Sequence, residues 1–270
     1  MSEYDTSKPA GEGFTDGAVQ AGEWAIRYRE AGTGSPLLWI HGAGGPAITH
    51  GAELLAERHR VIAIELPGFG DEVNERTQGG KDAAQIVLAF ADALGLDRFA
   101  LWGTSMGGVV ALWTAIVGGD RLERLVLDAP AIFRPEGPSP AELSPEEQLA
   151  AFHAHPERKH IAPPDPERMA RSWPLVERLV GPAYDEELAA GAAALAVPTL
   201  VLCGSRDGLF GTAPGRELKR LQQRVQLTIV YDAAHDISGD RPEAFAAYVS
   251  DFIERGPGFV VQDRSTLIYA

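Results

Sequence analysis

The chain has 270 residues, of which 45% are hydrophobic and 23% charged, which suits one large α/β domain carrying an insertion. Its formal net charge of −14 repels nucleic acid and anionic membranes and argues against either as a main partner. The single cysteine, Cys203, excludes an internal disulfide.

Residues 1–17 are polar and acidic and are expected to be disordered. They have neither the basic start nor the apolar run of a secretory signal, and no segment reads as a membrane span, so a cytoplasmic location is expected. From Ala18 to Arg29 the pattern predicts two strands around a Gly22-Glu23 turn. Pro36 to Ile40 is a short apolar strand closed by the glycine-rich turn His41-Gly42-Ala43-Gly44-Gly45, and a helix is predicted over Pro46 to Glu57. Arg60 to Glu65 is the next strand, closed by Leu66-Pro67-Gly68-Phe69-Gly70. Ile86, Val87, Phe90, Ala91 and Leu94 recur at helical spacing within Asp82 to Leu94. A third core strand, Arg98 to Trp102, precedes an apolar helix from Gly107 to Val117, and Leu122 to Leu127 is a fourth.

The pattern changes at Ala131. Residues 131–197 contain no convincing strand, but three helix starts are legible. Ser144-Pro145-Glu146-Glu147 has a capping residue, a proline at the first helical position and a glutamate placed for a capping box; Asp165-Pro166-Glu167 and Asp185-Glu186-Glu187 are the other two. This segment is expected to be a helical cap inserted into a core of residues 18–130 and 198–255. The core resumes with the strand Pro198 to Cys203, in which Cys203 reads as a small buried residue, and continues with the strand Gln226 to Tyr231 and the helix Arg241 to Arg255. In the extension 256–270, Phe259 to Val261 and Leu267 to Tyr269 are more apolar than an ordinary tail, which leaves open packing on the body, packing on a second copy of the chain in a homodimer, or plain fraying. Strands apolar on both faces with helices between them imply a mostly parallel sheet covered on both sides. Chemistry in such folds sits at the carboxyl ends of the strands.

Gly103-Thr104-Ser105-Met106-Gly107 lies between a predicted strand and a predicted helix. A G-x-S-x-G sequence in that setting holds the serine on a strained turn, which makes Ser105 the candidate nucleophile and aims the Met106 N–H at a developing oxyanion. A serine needs a base, and His235, which follows the last core strand, fits the position better than His41, His50, His59, His153, His155 or His160. Asp207, just past the strand Pro198 to Cys203, completes the chain order Ser, Asp, His, with Asp128 as its competitor. The second oxyanion donor is expected from Ala43, with Gly44 next.

These motifs, with Gly204-Ser205-Arg206-Asp207 and Ala234-His235, resemble those of the α/β-hydrolase fold superfamily over about Ala18 to Arg255. The resemblance implies an α/β-hydrolase fold with a helical cap and chemistry needing neither metal nor organic cofactor. Similar proteins include carboxylesterases, lactonases, carbon–carbon bond hydrolases of ring-cleavage products and cofactor-free haloperoxidases. A serine at the nucleophile position disfavours haloalkane dehalogenases and epoxide hydrolases, and Asp71-Glu72 after Gly70 departs from the small polar residue relatives often carry. The expected function is a serine hydrolase that cleaves a carboxylic ester or related carbonyl through an acyl-enzyme on Ser105. The alternatives are a carbon–carbon hydrolase or lyase on the same scaffold and a non-catalytic binding protein. Phe133, Phe152, His153, Met169, Trp173, Leu209 and Phe210 are expected to line a pocket for a small molecule with an apolar group.

Overall fold

The computed structural model describes residues 5–135, 137, 142–162 and 165–256, and the backbone of 267–269. Nine strands form one sheet among these residues: β1 (Thr15–Ala21), β2 (Trp24–Ala31), β3 (Pro36–Ile40), β4 (Arg60–Ile64), β5 (Phe99–Thr104), β6 (Leu122–Asp128), β7 (Thr199–Gly204), β8 (Gln226–Val230) and β9 (Leu267–Tyr269). Their spatial order is β1-β2-β4-β3-β5-β6-β7-β8-β9. The six strands from β4 to β8 are mutually parallel; β1, β2 and β9 run antiparallel to their neighbours.

The continuous apolar runs of the central strands divide by alternation. Leu38, Ile40, Ile62, Ile64, Leu101 and Leu127 face one side, where they meet α2 (Gly80–Ala93) and α3 (Met106–Gly118). Leu37, Trp39, Val61, Trp102, Leu200 and Leu202 face the other, against α1 (His50–Ala56) and α9 (Pro242–Arg255). The predicted helix from Pro46 is shorter than expected: Thr49 caps α1 by accepting from the Ala52 N–H. The first turn of that stretch is occupied instead by the loop from β3.

Between β6 and β7 lie α4 (Pro145–Phe152), α5 (Pro166–Val180) and α6 (Glu186–Ala193). All three begin where capping chemistry predicts. Ser144 and Glu147 form a reciprocal capping box, and Asp165 and Asp185 each accept two amides of the following turn. Leu175, Val176 and Leu179 of α5 join the core on the α2–α3 side. Past β7 come α7 (Ala213–Leu221) and the single turn α8 (Ile237–Asp240). No helix among the described residues is long and apolar enough to cross a membrane.

One reading is corrected. Residues 5–17 are ordered: Phe14 is buried, the Gly11 N–H donates to Glu53 at 2.5 Å, the His160 N–H donates to Thr6 O at 2.7 Å, and β1 starts at Thr15. Their polar composition hid backbone pairing with β2 and with the inserted segment. Leu267 to Tyr269 extends the sheet as β9 on β8. Residues 1–4 and Phe259 to Val261 lie outside the described residues.

Phe245 of α9 is fully buried and tilts against Trp102, 5.0 Å between ring centroids, where α9 crosses α1. Phe245→Ala is expected to lower unfolding free energy by about 3–5 kcal/mol, read as a lower urea midpoint with an unchanged slope.

Candidate active site

The turn after β5 brings Ser105 to the carboxyl edge of the sheet with φ 52° and ψ −115°. A non-glycine residue in this left-handed region is strained by about 1–3 kcal/mol and persists only where its surroundings fix it. Three backbone hydrogen bonds do so here. The Ser105 N–H donates to Asp128 O, and Ser105 O accepts from the Gly108 and Ala131 N–H groups, all at 2.9 Å. The flanking glycines are required by packing. A Cβ on Gly103 would lie 2.4 Å from Gly107 O, and one on Gly107 would lie 2.3 Å from Ile40 O.

The loop after β8 carries His235, which is 3% exposed. Its Nε2 lies 2.9 Å from Ser105 Oγ and its Nδ1 lies 2.9 Å from Asp207 Oδ2. Asp207 Oδ1 also accepts the N–H groups of Leu209 at 2.8 Å and Phe210 at 3.1 Å. Burial alone would raise the Asp207 carboxyl; the hydrogen bond and charge of His235 and these two amides outweigh it and hold the group below the ordinary carboxylate value. The ionised acid fixes the tautomer, with Nδ1–H donating to Asp207 and a lone pair on Nε2 facing the serine.

Asp128, the competing acid, ends β6 fully buried beneath this relay. Thr104 Oγ1 donates to its Oδ2 at 3.4 Å, and the Trp39 N–H donates to Thr104 Oγ1 at 3.1 Å. Burial pushes the Asp128 carboxyl well above its ordinary value, with the charges of Asp236 and Asp207 adding to the effect. Asp207, not Asp128, is the carboxylate hydrogen-bonded to His235.

The turn after β3 faces the serine. The Gly45 N–H donates to Gly42 O at 3.1 Å, while the N–H groups of Ala43, Gly44 and Met106 have no backbone acceptor among the described residues. His41 anchors this turn. Its Nε2 accepts the Leu66 N–H at 3.2 Å and its Nδ1 donates to Gly42 O at 2.7 Å, so the ring must be neutral. Burial, opposed by the Gly42 bond, lowers its pKa to about 4.

The expected lining residues divide. Phe152 and Phe210 stand edge-on to His235 at 5.2 Å each. Leu209 serves through its amide. Phe133 is buried beyond β6 against Tyr184. His153 Nδ1 faces Asp236 Oδ2 at 3.4 Å, so it belongs to an ionic cluster and not to an apolar wall. Trp173 donates to Glu177 of its own helix, and Met169 is half-buried on α5. Cys203 is buried and its thiol is pushed up to about 12 by desolvation, so it is inert. Asp71 pairs with Arg27 at 3.3 Å, away from the serine.

One residue escaped the sequence reading. Arg168, in the first turn of α5, carries its guanidinium carbon 3.8 Å from where a side chain on Gly45 would begin. It is half-buried, near enough to His41 to disfavour that ring's protonation, and has no ion pair among the described residues. Its spacing from Asp165 marks it only as a first-turn residue.

Unfolding exposes His41, which then titrates near 6.5, whereas the folded ring stays neutral down to about pH 4. Protonation therefore favours the unfolded chain, and stability is lost as pH falls across that window by up to about 3 kcal/mol. His41→Gln is expected to remove this part of the acid sensitivity, measured as the wild-type-minus-variant difference in unfolding free energy between pH 7 and pH 4.5.

The α/β hydrolase fold family model matches residues 35–168. A 2-hydroxymuconate semialdehyde hydrolase from Pseudomonas sp. strain CF600 is 30% identical over 255 residues, covering 83% of this chain and 88% of that protein. An N-formylmaleamate deformylase from Pseudomonas putida is 28% identical, covering 85% and 91%. Among solved structures, a meta-cleavage product hydrolase from Pseudomonas fluorescens superposes with a TM-score of 0.73 at 21% identity over 88% of this chain and 97% of that one. A carboxylesterase from Bacillus subtilis gives 0.71 at 18% identity over 90% and 92%. With the same parallel sheet and a serine turn after β5, the chain belongs to the α/β-hydrolase fold family and is a hydrolase.

Proposed function

We propose that the chain is a serine hydrolase that cleaves a carboxylic ester or related carbonyl compound through an acyl-enzyme on Ser105. The observation that carries this reading is the unbroken relay from Ser105 Oγ to His235 to Asp207, with both contacts at 2.9 Å, on a strained strand-to-helix turn. His235 Nε2 takes the Ser105 proton as Oγ attacks the carbonyl carbon. The Met106 and Ala43 N–H groups, with Gly44 as the alternative donor, form the oxyanion hole for the tetrahedral intermediate. Removing one such donor costs on the order of 3 kcal/mol in the acylation barrier. The imidazolium then protonates the leaving alkoxide. Water, deprotonated by His235, attacks the acyl-enzyme and releases the acid, with Asp207 ionised throughout.

The helices between β6 and β7 act in this reading as the cap. Phe152 and Phe210 supply an apolar wall beside the base. Arg168, which has no ion pair among the described residues, supplies a cation over the oxyanion turn, which suits a substrate carrying a carboxylate. A second reading, carbon–carbon bond hydrolysis, is favoured by the similarity to the 2-hydroxymuconate semialdehyde hydrolase. There Ser105 attacks the carbonyl, the aldehyde in a semialdehyde; the adjacent carbon–carbon bond breaks to a stabilised carbanion that takes the proton from His235, and water then hydrolyses the acyl left on Ser105.

Hydrolysis of p-nitrophenyl acetate, butyrate and octanoate, with fluorophosphonate labelling, tests the reading. Ser105→Ala is expected to lower kcat at least about 10⁴-fold and to abolish labelling. A folded wild type that shows neither turnover nor labelling overturns the serine-hydrolase reading. Rapid cleavage of 2-hydroxymuconate semialdehyde with slow ester turnover selects the second reading.

Arg168→Met is expected to raise KM for a carboxylate-bearing ester about tenfold while leaving a neutral ester within about twofold, consistent with the loss of one charge-assisted contact. Equal effects on both esters would remove Arg168 from substrate recognition.

A further inference from the structure

The segment after α4 is tied to the histidine loop by charge and hydrogen bonds. The Lys159 side chain is only 5% exposed, and its Nζ donates to Asp236 Oδ2 at 2.8 Å and Asp240 Oδ1 at 2.5 Å. Asp240, whose side chain is fully buried, uses its other oxygen to accept the Ala234 N–H at 2.8 Å and the Ala154 N–H at 3.0 Å. The Asp236 N–H donates to Phe152 O at 2.9 Å. The residues on either side of His235 are therefore held by carboxylates or carbonyls that Lys159 and its segment secure, and the Phe152 ring packs edge-on to the imidazole.

A carboxylate buried against the sheet edge is costly to keep charged without a cation. Burial would raise the Asp236 carboxyl, yet Lys159, helped by His153, holds it far below the ordinary carboxylate range. In turn, Asp236 and Asp240 outweigh the burial that would lower the Lys159 ammonium and keep it charged. Removing one member of such a group strands the others.

Resting on the serine-hydrolase reading, we infer that Lys159 is a positioning residue: by bridging Asp236 and Asp240 it fixes the Ala234–Asp236 turn and seats Phe152, keeping His235 Nε2 within hydrogen-bonding reach of Ser105. The base is then aligned from two sides. Asp207 orients the ring from beneath, and the Lys159 bridge fixes the backbone that carries it.

The test compares wild type, Lys159→Met and Lys159→Arg, each confirmed folded by circular dichroism, using the fluorophosphonate labelling rate and the kinetics of p-nitrophenyl acetate. A misplaced base slows serine attack, so Lys159→Met is expected to lose about 10- to 100-fold in both labelling rate and kcat, with KM within about twofold. Lys159→Arg, which keeps the charge, is expected to recover most of the loss. A folded Lys159→Met whose labelling rate and kcat stay within about twofold of wild type overturns the inference, even if its melting temperature falls. Should Lys159→Met not fold, Asp240→Asn is the substitute; it keeps an oxygen for the Ala154 and Ala234 amides but drops one charge. Slower labelling in Asp240→Asn supports the bridge, and an unchanged rate overturns it. A wild type that neither labels nor turns over ester overturns the serine-hydrolase reading and this inference together, whereas an active wild type beside an unaffected Lys159→Met overturns this inference alone.

Discussion

The site depends on one charge staying where desolvation opposes it. The Asp207 side chain is 1% exposed, and an isolated carboxylate there would take up a proton. It stays ionised because His235 Nδ1–H and two consecutive amides, those of Leu209 and Phe210, all donate to it. Those amides come from the loop that follows β7, so the strand end and its acid form one unit. The fixed charge sets the tautomer of His235 and leaves an accepting nitrogen facing Ser105. A protonated acid would let the ring turn over and break the relay.

Three carboxylates, Asp128, Asp207 and Asp236, crowd this edge, and their surroundings separate them. Asp128 has one hydroxyl donor, at 3.4 Å, and no exposure, so burial raises its carboxyl. Asp207 is charged because backbone and histidine donate to it. Asp236 is charged because an ammonium from another segment reaches it. Burial thus disfavours a charge on Asp128, whereas the donors on Asp207 favour one there. Beneath Ser105, Asp128 serves the backbone, its carbonyl accepting the Ser105 N–H. That bond is one of three that hold the serine at positive φ.

The architecture and the nucleophile are legible in the sequence because both rest on local chemistry. Short apolar runs at β3 to β8, Gly103 and Gly107 around Ser105 and capping residues at Ser144, Asp165 and Asp185 each act within a few positions of themselves. The choice of Asp207 over Asp128 is only partly legible. Both end apolar strands, and what separates them is which strand end faces the loop of His235. The order of residues 5–17 is not legible, because an edge strand is specified by pairing and their own composition is polar; the apolar character of Leu267 to Tyr269 offers packing on the body but not their pairing as a strand. His153 carries no local signal of its partner either: Phe152 ends α4 beside His235, and His153, the residue that closes the helix, faces Asp236. Arg168 and Lys159 carry no local signal, since the partners of Lys159 lie more than seventy positions away and Arg168 has no ion pair among the described residues.

The distribution of these long-range contacts bears on what the scaffold leaves open. Ser105, the oxyanion turn and His235 would serve ester, amide and ketone substrates alike, because each passes through an oxyanion at the same place. The bonds differ in what leaves, and a proton from the imidazolium can be delivered to an alkoxide, an amine or a carbanion only if that atom sits next to Nε2. In the proposed reaction the leaving group's path is set by what surrounds the ring: Phe152 and Phe210, each edge-on to it, and Arg168 near Gly45 of the turn after β3. Two of these three, Phe152 and Arg168, come from the segment inserted between β6 and β7. Divergence in that segment can change the bond cleaved while the relay beneath it stays intact, so similarity across the sheet identifies the chemistry more firmly than the substrate.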